Sequence, residues 1–87
     1  MNPRRVLHLA ATAAKIKPSM ILGSGRRPAQ TLGRALACKW MISDLGIKGT
    51  DTARLLGISQ PTACLAARRG SEEERRLGLS LDAGGGD

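Results

Sequence analysis

The side chains with the most chemistry to offer lie in one stretch: Ser59, Gln60, Pro61 and Thr62, then Cys64, Leu65, Arg68 and Arg69. On a helix, Gln60, Pro61, Cys64, Leu65 and Arg68 cluster on one face, opposite Ala63, Ala66 and Ala67. The Gln60 amide can pair with adenine, and the Arg68 guanidinium can reach guanine or a phosphate. Ser59, Thr62 and Arg69 suit backbone phosphates, whose contacts fix register without reading sequence. Cys64 and Leu65 can touch a thymine methyl but offer no bidentate hydrogen bonds, so base readout is expected to be limited. This is the chemistry of recognition. No comparable set exists for catalysis. Cys38 and Cys64 are far apart, without a CxxC, and His8 is the only imidazole, so four zinc ligands cannot be assembled. The glycine-rich "GSGRRP" lacks the Lys-Ser/Thr pair and the preceding strand of a phosphate-binding P-loop. No carboxylate pair sits in an apolar frame that would raise a pKa. The expectation is a chain that is not an enzyme and uses no metal, cofactor or small-molecule substrate.

Charge narrows the partner. The 87 residues carry 14 Lys and Arg against 7 Asp and Glu, a net charge of +7. Such an excess points to a polyanion, either nucleic acid or an anionic membrane surface. The first acidic residue is Asp44; before it come Arg4, Arg5, Lys15, Lys17, Arg26, Arg27, Arg34 and Lys39. Of these, Arg26, Arg27, Arg34 and Lys39 are candidate phosphate contacts from the first helix of the organised zone and the loop before it. Trp40 is the only aromatic besides His8, which argues against a module that stacks single-stranded bases. No apolar run reaches the roughly 18–20 residues that span a bilayer. "RRVLHLAATAAKIK" is basic and Ala-rich, like a transit peptide or a short interfacial helix, but Lys15 and Lys17 interrupt any signal-peptide core. A membrane-surface role for the first 22 residues ranks third. Double-stranded DNA is the expected partner, in the cytoplasm and at the nucleoid.

Positioning those side chains requires a short chain of helices. Residues 1–30 read as a basic arm and loop, with at most one weak helix between Arg4 and Lys17 ended by Pro18. Residues 31–79 read as the organised domain, and 80–87, "SLDAGGGD", as a disordered tail. A first helix is expected from Leu32 to Leu45, capped by Thr31 and stopped by Gly46. Ala35, Cys38, Ile42 and Leu45 share its inward face; Leu36 and Trp40 share a neighbouring one, as a second edge of the core or as contacts to the N-terminal segment. Thr50 is expected to cap a second helix with Ala53 and Leu56 inward. Gly57 turns the chain, and Ser59 caps a third helix from Gln60 to Arg69 with Pro61 in its first turn. Gly70 is expected to stop it. Ser71 and Glu74 then form a capping box for a last short helix, with Glu72 and Arg76 as an i,i+4 pair. The fold class is all-α: a small helix-turn-helix bundle of three to four helices with a flexible basic N-terminal arm.

The segment "GTDTARLLGISQPTACLAARRG" has the grammar of a helix-turn-helix: small Ala53, turn residue Gly57, and small inward Ala63, Ala66 and Ala67. With "GSGRR", "RALACKW", "DLGIKGT" and "ARLLGISQP" before and within it, residues 23–79 resemble the C-terminal region of REP-associated tyrosine transposases. That helical DNA-binding domain is in turn similar to the duplex-binding domain of the bacterial replication initiator. The resemblance implies non-catalytic DNA binding by a transposase-derived module. Those nucleases cut with a tyrosine and a histidine–hydrophobic–histidine metal site; this chain has no Tyr, and its one His is followed by Leu9 and Ala10. The groove face of such domains carries polar residues where Cys64 and Leu65 stand here. A second reading follows: protein interaction or homodimerisation through an apolar face of Leu65 and Cys64, joined by Leu36 and Trp40.

Overall fold

The computed structural model describes residues 2–22, 25–79 and 81, all of them helix, turn or loop. The chain forms four α-helices: α1 (Pro3–Ala14), α2 (Pro28–Lys39), α3 (Gly49–Leu56) and α4 (Gln60–Leu77). A 3-10 turn, Pro18–Met20, follows α1, and a π turn, Trp40–Asp44, extends α2. α2 is the centre of the bundle. α4 packs along it, α1 covers another side of it, and α3 rests on α4. Val6, Ile21, Leu36, Met41, Leu56 and Ala63 meet in the core with no exposed surface.

The N-terminal segment is more structured than an arm. Asn2 caps α1, its side-chain oxygen accepting from the Arg5 N–H at 2.9 Å, and Pro3 presets the first turn. Val6, Ala10 and Ala14 recur every four residues and are buried against α2. Alanines carry little hydrophobic signal in sequence, yet they let two helices approach closely. The helix ends at Lys15, whose φ of +60° is left-handed, so the expected stop at Pro18 comes after the helix has already closed. Arg4, Arg5 and His8 form the solvent face of a docked helix.

α2 begins at Pro28, one turn earlier than expected. Thr31 is therefore not its cap; the Gln30 side-chain oxygen accepts from the Arg27 N–H at 3.3 Å instead. The π turn carries an i,i+5 bond from the Leu45 N–H to the Trp40 carbonyl at 2.9 Å. Widening the helix there brings Trp40 and Met41 both inward. Gly46, at φ +70°, ends the helix as expected.

The helix-turn-helix is formed by α3 and α4. α3 starts at Gly49, with Lys48 in the cap position in place of Thr50. Ala53 and Leu56 point inward. Gly57 adopts φ +71°, freeing Ile58 to pack on the core, and the Ser59 hydroxyl accepts from the Thr62 N–H at 3.3 Å.

Gly70 does not stop the third helix. α4 continues through it to Leu77, and Gly70 is buried in the helix interior. A Cβ there would overlap the Ala35 carbonyl oxygen and lie 2.7 Å from the Lys39 Cβ. Gly70 thus lies at a close backbone approach of α2 and α4, and the expected last short helix does not exist. Ser71 and Glu74 lie within α4 and make no capping box, so the acidic run serves no helix start. Arg76 pairs with Glu73 at i,i+3, its Nε donating at 3.0 Å, in place of the expected Glu72. The expected tail lies outside the described residues, apart from Leu81, which is buried.

The two cysteines occupy opposite environments. Cys38 is fully buried and Cys64 is exposed. Burial pushes the Cys38 thiol up to about 12, against a smaller opposing pull from Arg34. Cys64 is expected to react stoichiometrically with a thiol reagent at pH 8 in the native protein, and Cys38 only once the chain is unfolded. Titration with and without denaturant, read by mass spectrometry, checks this; two equally fast thiols would contradict the burial of α2.

Candidate nucleic-acid interface

α4 carries the candidate site on its first two and a half turns. Ala63 and Ala67 anchor the inward side, and Ala66 is half-buried. Gln60, Pro61, Cys64, Leu65 and Arg68 all face solvent, as do Ser59, Thr62 and Arg69. Helical spacing, the Ser59 cap and the Gly57 turn together leave all eight expected side chains of this stretch exposed along the first half of α4. Leu65 is 66% exposed, the most of the large apolar side chains that the described surface shows, Leu22, Leu55 and Leu77 being the others. The first turn of α3 flanks this face, since a Cβ on Gly49 would lie 3.4 Å from the Cys64 Sγ and 3.7 Å from the Gln60 Cγ.

The four cations expected from the loop and α2 divide. Arg26 and Arg27 are exposed just before α2. Arg34 is 8% exposed, and its Nε donates to the Ile21 carbonyl at 3.1 Å. It nevertheless lines two cavities beside α4. One, of about 420 Å³, is bounded also by Arg26, Ser59 and Thr62; the other, of about 410 Å³, by Thr62, Leu65 and Arg69. Lys39 does not join them. Its Nζ lies 2.8 Å from Glu74 and 3.1 Å from Asp44. Partial burial alone would lower its pKa, but the hydrogen bonds to Glu74 and Asp44 outweigh it, and the Lys39 ammonium is held above its ordinary value. Lys39 is thus a structural cation, because the unbroken α4 carries Glu74 across onto it. The same carboxylate accepts from the Trp40 indole Nε1 at 2.6 Å.

The electrostatics separate accordingly. Among the described residues, the ion pairs are Lys39 with Asp44 and Glu74, and Arg76 with Glu73. Arg26, Arg27, Arg34, Arg68 and Arg69 take part in none of them. Lys48, exposed in the cap position of α3, and Arg54, exposed on the helix, are likewise outside these pairs and were missed by sequence reasoning. Both are outside the inward Ala53 and Leu56 positions, the one signal that marks them as surface cations. Leu36 and Trp40, expected to widen an apolar interface around Leu65, are buried at 0% and 2% exposure and cannot do so.

Fold and surface define an all-helical domain whose helix-turn-helix shows solvent Arg68 and Arg69, neither of them in an ion pair among the described residues. No protein family, curated protein or solved structure matches the chain. Among the described residues, no group of His, Cys, Asp and Glu is placed to hold a metal ion, and no helix is long and apolar enough to cross a membrane.

Proposed function

We propose that this chain binds duplex DNA without catalysis, laying the N-terminal half of α4 in the major groove. The observation that supports this reading is the outward face from Gln60 to Arg69: its side chains away from the alanines are exposed, and Arg68 and Arg69 form no ion pair among the described residues. Gln60 and Arg68 face base edges, while Ser59, Thr62, Arg69, Arg26 and Arg27 hold phosphates. Cys64 and Leu65 add contact to thymine methyls and little discrimination. A protein of this kind binds nonspecific duplex with Kd on the order of 10⁻⁴–10⁻⁶ M at physiological salt. Its resemblance to the tail of REP-associated transposases supports a transposase-derived module acting at the nucleoid.

Exposed Leu65 favours a second reading, a homodimer through the same face. Sedimentation at high concentration separates the two, because a dimer built there would compete with duplex.

The test uses two arginines of the same helix. Arg68→Ala is expected to weaken binding of a fluorescent duplex by about 5-fold or more. Arg75→Ala removes the same charge near the other end of α4 and is expected to stay within about 2-fold, since only long-range attraction is lost. Equal effects from the two variants would reduce the site to diffuse net charge.

A further inference from the structure

We propose that Arg34, Arg26 and the first turn of α4 form a seat for a single phosphodiester of the DNA backbone. The inference rests on the duplex-binding reading and adds to it the residue that sets register. Arg34 is nine-tenths buried, yet only part of its guanidinium is satisfied. The Nε donates to the Ile21 carbonyl at 3.1 Å, while the Nη2 is buried with no hydrogen-bond partner among the described residues. A charged donor left unmatched away from water is costly unless an anion completes it. Ordinary packing does not explain that arrangement, because a shorter or apolar side chain would fill the same space without the cost.

The surroundings suit an oxyanion. The cavity of about 420 Å³ is lined by Arg26, Arg34, Gly57, Ile58, Ser59 and Thr62. Among the described residues its lining has two guanidinium groups and no carboxylate. It lies at the positive end of α4, an 18-residue helix. Pro61 contributes no N–H, and Ser59 already accepts from the Thr62 N–H. The oxygens of the ligand are therefore met by the guanidinium groups and by one hydroxyl proton of the Ser59–Thr62 pair, whose hydroxyls are hydrogen-bonded to each other at 2.7 Å. Arg34 also borders the adjoining cavity with Arg69 and Leu65. A phosphate seated here lies beside the exposed face of α4, so it fixes where Gln60 and Arg68 meet the base edges.

The experiment follows the side-chain Nε–Hε signal of Arg34 by NMR in the full chain. A short duplex is expected to shift it. A set of duplexes with one neutral methylphosphonate moved along the strand should contain one position that abolishes the shift. Arg34→Met should lower the slope of log K against log salt by about 1, equally for all sequences. Should that variant unfold, Arg26→Gln, at an exposed position, must lower the slope similarly, and the wild-type signal decides independently. Duplex that binds while Arg34 stays still and both slopes stay unchanged overturns the seat and leaves the duplex reading intact. No duplex binding at all overturns both. Inorganic phosphate at matched ionic strength is the remaining arm: if it moves Arg34 and bound duplex does not, the pocket serves a free anion and the proposal fails.

Discussion

Gly70→Ala is expected to lower the melting temperature by about 5–15 °C, and Gly70→Val by more. Two effects oppose each other at this position. Alanine is the better helix former by about 1 kcal/mol. Against it, the new methyl group falls on the Ala35 carbonyl oxygen and against the Lys39 Cβ. A backbone atom cannot rotate away, so α2 and α4 must separate along their contact. Overpacking of this kind costs about 1–3 kcal/mol, occasionally more. Because the obstacle is a backbone oxygen, the steric cost lies at the upper end of that range, about 2–3 kcal/mol; it exceeds the helix gain by about 1–2 kcal/mol, and each kcal/mol shifts the midpoint of a domain this size by about 4–8 °C. Ser71→Ala is the matching control. A Ser71 that capped a new helix would lose about 1 kcal/mol on replacement. Inside a continuous α4 the substitution is neutral or slightly stabilising. Thermal unfolding of the three variants by circular dichroism checks both. A harmless Gly70→Ala with a damaging Ser71→Ala would restore the broken helix.

Raising salt from 50 to 200 mM is expected to weaken duplex binding by about 250- to 1,000-fold. Arg26, Arg27, Arg34 and Arg69, joined by exposed Lys48, are cations outside the ion pairs that can meet phosphates, while Lys39 is held by Glu74 and Asp44. About five neutralised phosphates give a slope of log K against log salt near −4.5. Lys39→Met should leave that slope unchanged while lowering stability, since removing it strands Glu74 in a partly buried place. Fluorescence anisotropy across salt measures the slope. A slope near zero would mean that no phosphates are held.

The parts of this fold that the sequence discloses are those decided locally. Gly57, Ser59 and Pro61 fix a turn and a helix start by their own backbone preferences, and Ala53, Leu56 and Ala63 point inward by spacing alone. The exposed face from Gln60 to Arg68 follows from the same periodicity. What sequence reasoning misread depends on partners distant along the chain. Gly70 has the composition of a helix stop, and only Ala35 across the bundle makes it a crossing point. Glu74 resembles a capping carboxylate until the unbroken helix brings it to Lys39 and Trp40. Arg34 resembles any surface cation of α2; its burial depends on the Ile21 carbonyl. The docking of α1 was hidden because Ala10, Ala11 and Ala14 bury little apolar area each and pack through closeness rather than size.

The central claim is that the outward flank of α4 meets the duplex. Backbone amide NMR of the labelled chain, titrated with a short random-sequence duplex, tests it most directly. The expected result is fast-exchange movement concentrated at residues 59–69 and at Arg26 and Arg27, with Arg4, Arg5 and residues 72–77 nearly still. Movement confined to α1, or absent while the duplex is bound in excess, would contradict it.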